Sequence, residues 1–92
     1  MLLLPATLTM SEARDALAML EQALRREPEA GDDIHIDASS LQQFDTAVLA
    51  VLLECQRVAH AWGKGLAILH TPAKLSALAK LYGVDGLLRL EG

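Results

Sequence analysis

The stretch IHIDASSLQQFDTAVLAVLLE, Ile34 to Glu54, changes its hydrophobic period partway along. Ile34-His35-Ile36-Asp37-Ala38 alternates apolar and polar residues, the period of a strand with one covered face. From Ala47 the residues are almost unbroken in their apolarity until Glu54, and the segment stops at Gly63. A segment of that length is too long for an ordinary strand and reads as a helix. A strand that hands over to an unusually apolar helix is the unit from which α/β folds are built.

The residues further along repeat the unit. Leu66-Ala67-Ile68-Leu69 lacks alternation, as a strand covered on both faces does. Thr71-Pro72 offers an N-cap and a proline at the first helical position. Leu75, Leu78, Ala79 and Tyr82 form one helical stripe that Gly83 closes. Leu87 to Leu90 is either a half-turn or a last strand.

Toward the start, Leu2-Leu3-Leu4 reads as a brief strand ended by Pro5, with an edge position suggested. Thr9-Met10-Ser11-Glu12 has the capping-box pattern, Thr9 as N-cap and Glu12 three residues later. Ala13, Leu17, Leu20 and Leu24 follow at helical spacing and predict an amphipathic helix of about 16 residues, with Pro28 beyond its end. Glu29 to Asp33 reads as a polar turn. Strand and helix therefore alternate three times, which predicts α/β layering with right-handed crossovers.

Composition narrows the function. The 92 residues suit one domain, and a 52 % hydrophobic content with 3 % aromatic residues predicts an aliphatic core. Eight Lys and Arg are scattered among twelve acids, for a net charge of −4, without the basic stripe that nucleic acid requires. Cys55 is the single cysteine, which fits a reducing compartment. The opening MLLLP lacks a basic start and a small-residue cleavage site, and nothing approaches the ~20 apolar residues of a membrane span. The expectation is a soluble cytoplasmic protein that starts directly in its fold.

On a wheel centred on Val48, Leu52, Cys55, Ala59 and Trp62 cluster within about 40° and seat the helix on a sheet. Thr46 falls about 160° away, and Leu49, Ala50 and Leu53 share its side, with Arg57 and His60 further along. The helix thus has a second apolar strip, beginning at a hydroxyl and ending at basic groups, which is expected to be exposed as a protein-contact patch. Asp45 and Thr46 both suit the N-cap position. With Asp45 as the cap, the Thr46 hydroxyl stands at the first turn, where the helix dipole favours an anion. A phosphate there would add roughly −1.5 to −2 charges and repel a partner from the patch.

IDASSLQQFDTAVLAVLLE resembles the central signature of STAS domains, the fold of bacterial anti-sigma factor antagonists. Asp37 and Ser39 match the strand end, and Asp45-Thr46 match the Asp-Ser/Thr pair. GKGLAILHTPAKLSALAKLYGVDGLL fits the same family's later strand and helix. Within it, DTAVLAVLLE and LAKLYGVDGLL are most similar to the MlaB-type STAS subunit of the Mla phospholipid-transport ABC system.

The resemblance implies a single α/β STAS-like domain over residues 1–92, with a small mixed, mostly parallel sheet and helices packed mainly on one face. It also implies a partner-binding surface of Asp45, Thr46, Leu49, Ala50, Leu53 and Arg57, docking on the transporter ATPase. In the antagonists the Thr46 position is a phosphoacceptor that switches binding to an anti-sigma factor kinase. The start, reduced to Leu2–Leu4 where antagonists have two strands, and a terminal helix that does not follow Gly92, favour the Mla type. Threonine in place of the commoner serine points the same way.

Other constellations carry less. His35, His60 and His70 lack ligand spacing, so no metal or cofactor is expected. His35 belongs to the less covered face of its strand, and His60 sits near the contact strip. Cys55 falls on the core stripe, where a thiol acts as a small hydrophobe. Gly63-Lys64-Gly65 is too short for a phosphate loop and reads as a helix stop and turn. Asp37 and Asp45 have turn or capping roles, and Tyr82 is expected in the core. No catalysis is expected.

Overall fold

The computed structural model describes residues 2–26 and 33–92. In chain order these form β1 (Leu2–Leu3), β2 (Thr7–Leu8), α1 (Met10–Arg26), β3 (Asp33–Asp37), β4 (Gln43–Phe44), α2 (Ala47–Ala61), β5 (Gly65–Leu69), α3 (Ala73–Leu81) and β6 (Arg89–Leu90). Four strands make one sheet in the order β1-β3-β5-β6, and β2 pairs with β4 in a second, two-stranded sheet. Every pairing among the described strands is parallel.

The strand order explains where the helices lie. Each connection within the larger sheet moves one strand over in the same direction, so right-handed crossovers deliver α1, α2 and α3 to one face. Burial along the register agrees. The row Leu2, Ile36, Ile68 faces the helices and is buried, as are Ile34 and Leu66. The opposite row begins with Leu3, 60 % exposed, and continues through half-buried Asp37 and Leu69. On that open face Arg89 donates from Nη1 to Asp33 Oδ2 at 3.1 Å. The pair passes over Gly65, where a Cβ would collide with the Asp33 carboxylate. Ala67 is fully covered, as the unbroken apolarity of its strand predicted, and half-buried His35 lies on the same open face.

Local chemistry sets the helix ends. At α1 the Thr9 N–H donates to Glu12 Oε1 at 2.8 Å, the returning half of the expected capping box. The Thr9 hydroxyl also donates to that oxygen, at 2.5 Å. These bonds hold the Glu12 carboxyl below its ordinary pKa. Ala16, Leu20 and Leu24 are buried, with Ala13 and Leu17 half-buried beside them. Pro28 and the polar turn through Asp32 lie outside the described residues. Gly63 and Gly83 follow α2 and α3 with φ of 75° and 71°, the left-handed region that glycine adopts freely.

Several expectations need correction. Thr71 is not the cap of α3: Pro72 occupies that position, and the Thr71 hydroxyl donates instead to the Ile68 carbonyl at 3.2 Å. Leu87–Leu90 resolves into a turn and the strand β6. The start of the chain is two-stranded after all, because β2 follows β1. Trp62 and Tyr82 are 44 % and 57 % exposed, not part of the core. Both are C-cap residues, where the backbone has left helical geometry and the wheel no longer gives their direction.

Candidate functional site

The short parallel ladder between β2 and β4 pairs Thr7 with Gln43 and Leu8 with Phe44. The Ala6 carbonyl strengthens it by accepting from the N–H groups of Gln42 and Gln43, at 2.8 and 2.9 Å. One or two residues beyond, the two strands feed α1 and α2, so the ladder sets the N-termini of those helices side by side.

Asp45 joins them. Its Oδ1 accepts from the Ala47 N–H at 2.9 Å, and its Oδ2 accepts from the Met10 N–H at 3.1 Å. One carboxylate thus satisfies a free donor at the start of each helix, where the dipoles also favour negative charge. Thr46, the first residue of the α2 turn, makes no side-chain capping bond and is exposed. Asp45 takes the capping role and leaves the Thr46 hydroxyl outside, as the sequence allowed. Similarly, Asp37 Oδ1 accepts from the Ser39 N–H at 2.8 Å, a turn contact that lowers the Asp37 pKa.

The expected contact strip is only partly a surface. Leu49 is 6 % exposed and belongs to the core, and Leu53 is half-buried against it. The expectation of a wholly unpartnered second side on α2 is therefore wrong. Leu49 joins the same buried cluster as Leu52 and Leu75, so the fold itself covers part of the strip. No further layer is needed.

What remains outside is narrower. Thr46, Ala50 and Arg57 are exposed, and with Leu53 they fall within an arc of about 60° at helical spacing. Arg57 is held by Glu54, whose Oε1 accepts from its Nε at 3.0 Å. The outer face thus runs from a hydroxyl at the helix N-terminus, over a small residue, to an ion pair one helical row further on. Such a stripe lets another backbone approach closely at Ala50 and offers polar contacts at each end.

Cys55 is fully buried, and desolvation pushes its thiol up to about 12, so it offers no thiolate. His60 is exposed in the last turn of α2, and His70 is exposed after β5. Among the described residues no three His, Cys, Asp or Glu side chains converge as a metal site would need. None of the described helices is long and apolar enough to cross a membrane.

The contact between Asp45 and Met10 was not legible in the sequence. Thr9 and Glu12 marked the start of α1, and Asp45 marked that of α2, but nothing local joins positions 35 residues apart.

A search of curated proteins finds no match to the chain. The family model described as "Mlab, STAS domain" matches residues 3–89, which includes every element from β3 to α3. The chain belongs to the STAS domain family of regulatory and interaction domains, in the branch named for its MlaB-like members.

Proposed function

We propose that the chain is a non-enzymatic STAS subunit that binds the ATPase of an Mla-type phospholipid ABC transporter and stabilises or activates it. The transporter would serve outer-membrane lipid asymmetry. The subunit would be cytoplasmic and reach the inner membrane only through its partner. The observation that carries this reading is the exposed row Thr46, Ala50, Arg57 on a helix whose N-terminus Asp45 caps and ties to Met10. The branch to which the family match assigns the chain supports the choice of an ATPase as the partner. A pre-formed surface lowers the ordering cost of docking, and the two hydrogen bonds that Asp45 accepts help to pre-form this one. Affinity purification from the native cell tests it: an ABC ATPase should be retained, and retention of an anti-sigma kinase in its place would overturn the reading.

A second reading has one specific observation behind it. The Thr46 hydroxyl is exposed at a helix N-terminus and free of capping duty, as a phosphoacceptor must be. An anti-sigma factor antagonist switched by phosphorylation at Thr46 would carry a stoichiometric phosphate adduct when purified from its source. Intact-mass measurement decides between the two.

A further inference from the structure

A groove of about 470 Å³ opens between the segment after β1 and the first turns of α1. Pro5, Ala16 and Met19 are its apolar lining residues, and Thr7, Ser11, Glu12 and Asp15 its polar ones. No lysine or arginine among the described residues lines it. Met19 is 49 % exposed, and Met10 at the head of the same helix is more exposed still. Thioether side chains of this kind fit partners of varied shape.

The groove lies at the end of α1 that Asp45 ties to the start of α2. Asp45 accepts from the Met10 N–H at 3.1 Å and lies close enough to Glu12 to act on its charge. Apolar walls beneath carboxylates complement one kind of side chain: an aliphatic stem with a cationic tip, which buries its methylenes and keeps its charge among acceptors.

We propose that this groove receives a lysine or arginine side chain presented by the protein that docks on Thr46, and so forms the second half of that docking surface. The proposal rests on the docking reading for the identity of the protein, and on the groove alone for the charge of the inserted group. The first turns of α1 then fix the angle at which the partner sits on α2, because the Asp45 bridge joins the two helices.

Two measurements on the full chain test it. The first titrates isotope-labelled protein with an acetylated, amidated peptide of alternating leucine and arginine. A leucine–glutamate peptide of equal length is the control. The amide signals of Ser11 to Met19 should move with the arginine peptide alone, and binding should weaken several-fold between about 50 and about 300 mM salt. Asp15→Lys should abolish the shifts without changing the fold, since Asp15 is exposed. Equal shifts with both peptides, or none with either, would overturn the proposal. Concentration-dependent changes without any peptide would assign the groove to a second copy and overturn it too.

The second measures affinity for the retained ATPase. Asp15→Lys should weaken it about tenfold and Asp15→Asn about threefold. Unchanged binding of Asp15→Lys overturns the groove proposal while leaving docking at Thr46 intact. If the native chain retains no ATPase but the arginine peptide still fills the groove, the docking reading fails and the cation preference stands.

Discussion

Asp45 accepts a hydrogen bond from the backbone of Met10 at 3.1 Å while its other carboxylate oxygen caps α2. A side chain at the start of one helix therefore fixes the start of another. Asp45→Ala should cost about 2 kcal/mol of stability, at the upper end for a lost cap because both helix N-termini lose an acceptor. Asp45→Asn keeps one acceptor oxygen and should cost less. Thr46→Ala should stay within about 0.5 kcal/mol of the parent, since the Thr46 side chain makes no capping bond. Urea unfolding of the three variants provides the comparison.

Leu49 and Ala50 are neighbours with opposite fates, one in the core and one outside. Leu49→Ala should destabilise by about 3 kcal/mol, through lost transfer energy and the cavity left behind. Ala50→Glu should change stability by no more than about 0.5 kcal/mol and instead remove partner binding. Thermal melts read beside binding isotherms would separate the two effects. A Leu49→Ala protein as stable as the parent would mean that the helix is not packed as described.

Carboxylates govern the acid limb of stability. Glu12, Asp37 and Glu54 have lowered pKa values, Glu12 through Thr9, Asp37 through Ser39 and Glu54 through Arg57. A carboxyl whose folded pKa lies below its unfolded one stabilises the fold fully at neutral pH. That contribution fades as pH falls from the ordinary carboxylate range of about 4 through the lowered values. Glu12→Gln should therefore show a shallower loss of stability below about pH 4 than the parent does, measured as the urea midpoint against pH.

The thiol works in the other direction. With the folded Cys55 pKa raised to about 12, stability is complete below the unfolded thiol value and declines as pH rises through the folded one. Cys55 should accordingly resist alkylation at neutral pH, and its labelling rate should follow the unfolding equilibrium as urea is added. Rapid labelling of the native protein would place the thiol nearer solvent than its burial allows.

The alternation of strands and helices was legible because five of the elements are long enough to display a period. β2 and β4 were not, since two residues each cannot reveal alternation. They are recognisable only by their pairing with each other, which is a long-range fact. The same limit hid the bridge from Asp45 to Met10 and the groove beside it. Leu49 illustrates a different gap. A helical wheel gives the direction of a side chain but not its neighbour, and the buried cluster of the fold extends round α2 to Leu49. Trp62 and Tyr82 fail for a third reason, standing where helical geometry ends. By contrast, capping by Asp45 was among the readings the sequence offered, because the Ala47 N–H it binds lies only two positions on.

The central claim is that the outer row of α2 is a docking surface, and binding of purified variants to the retained ATPase tests it most directly. Thr46→Glu and Ala50→Glu should each abolish association while keeping the parent's unfolding midpoint, and Leu81→Glu, an exposed change beyond that row, should bind as the parent does. Undiminished binding by Thr46→Glu and Ala50→Glu would contradict the claim.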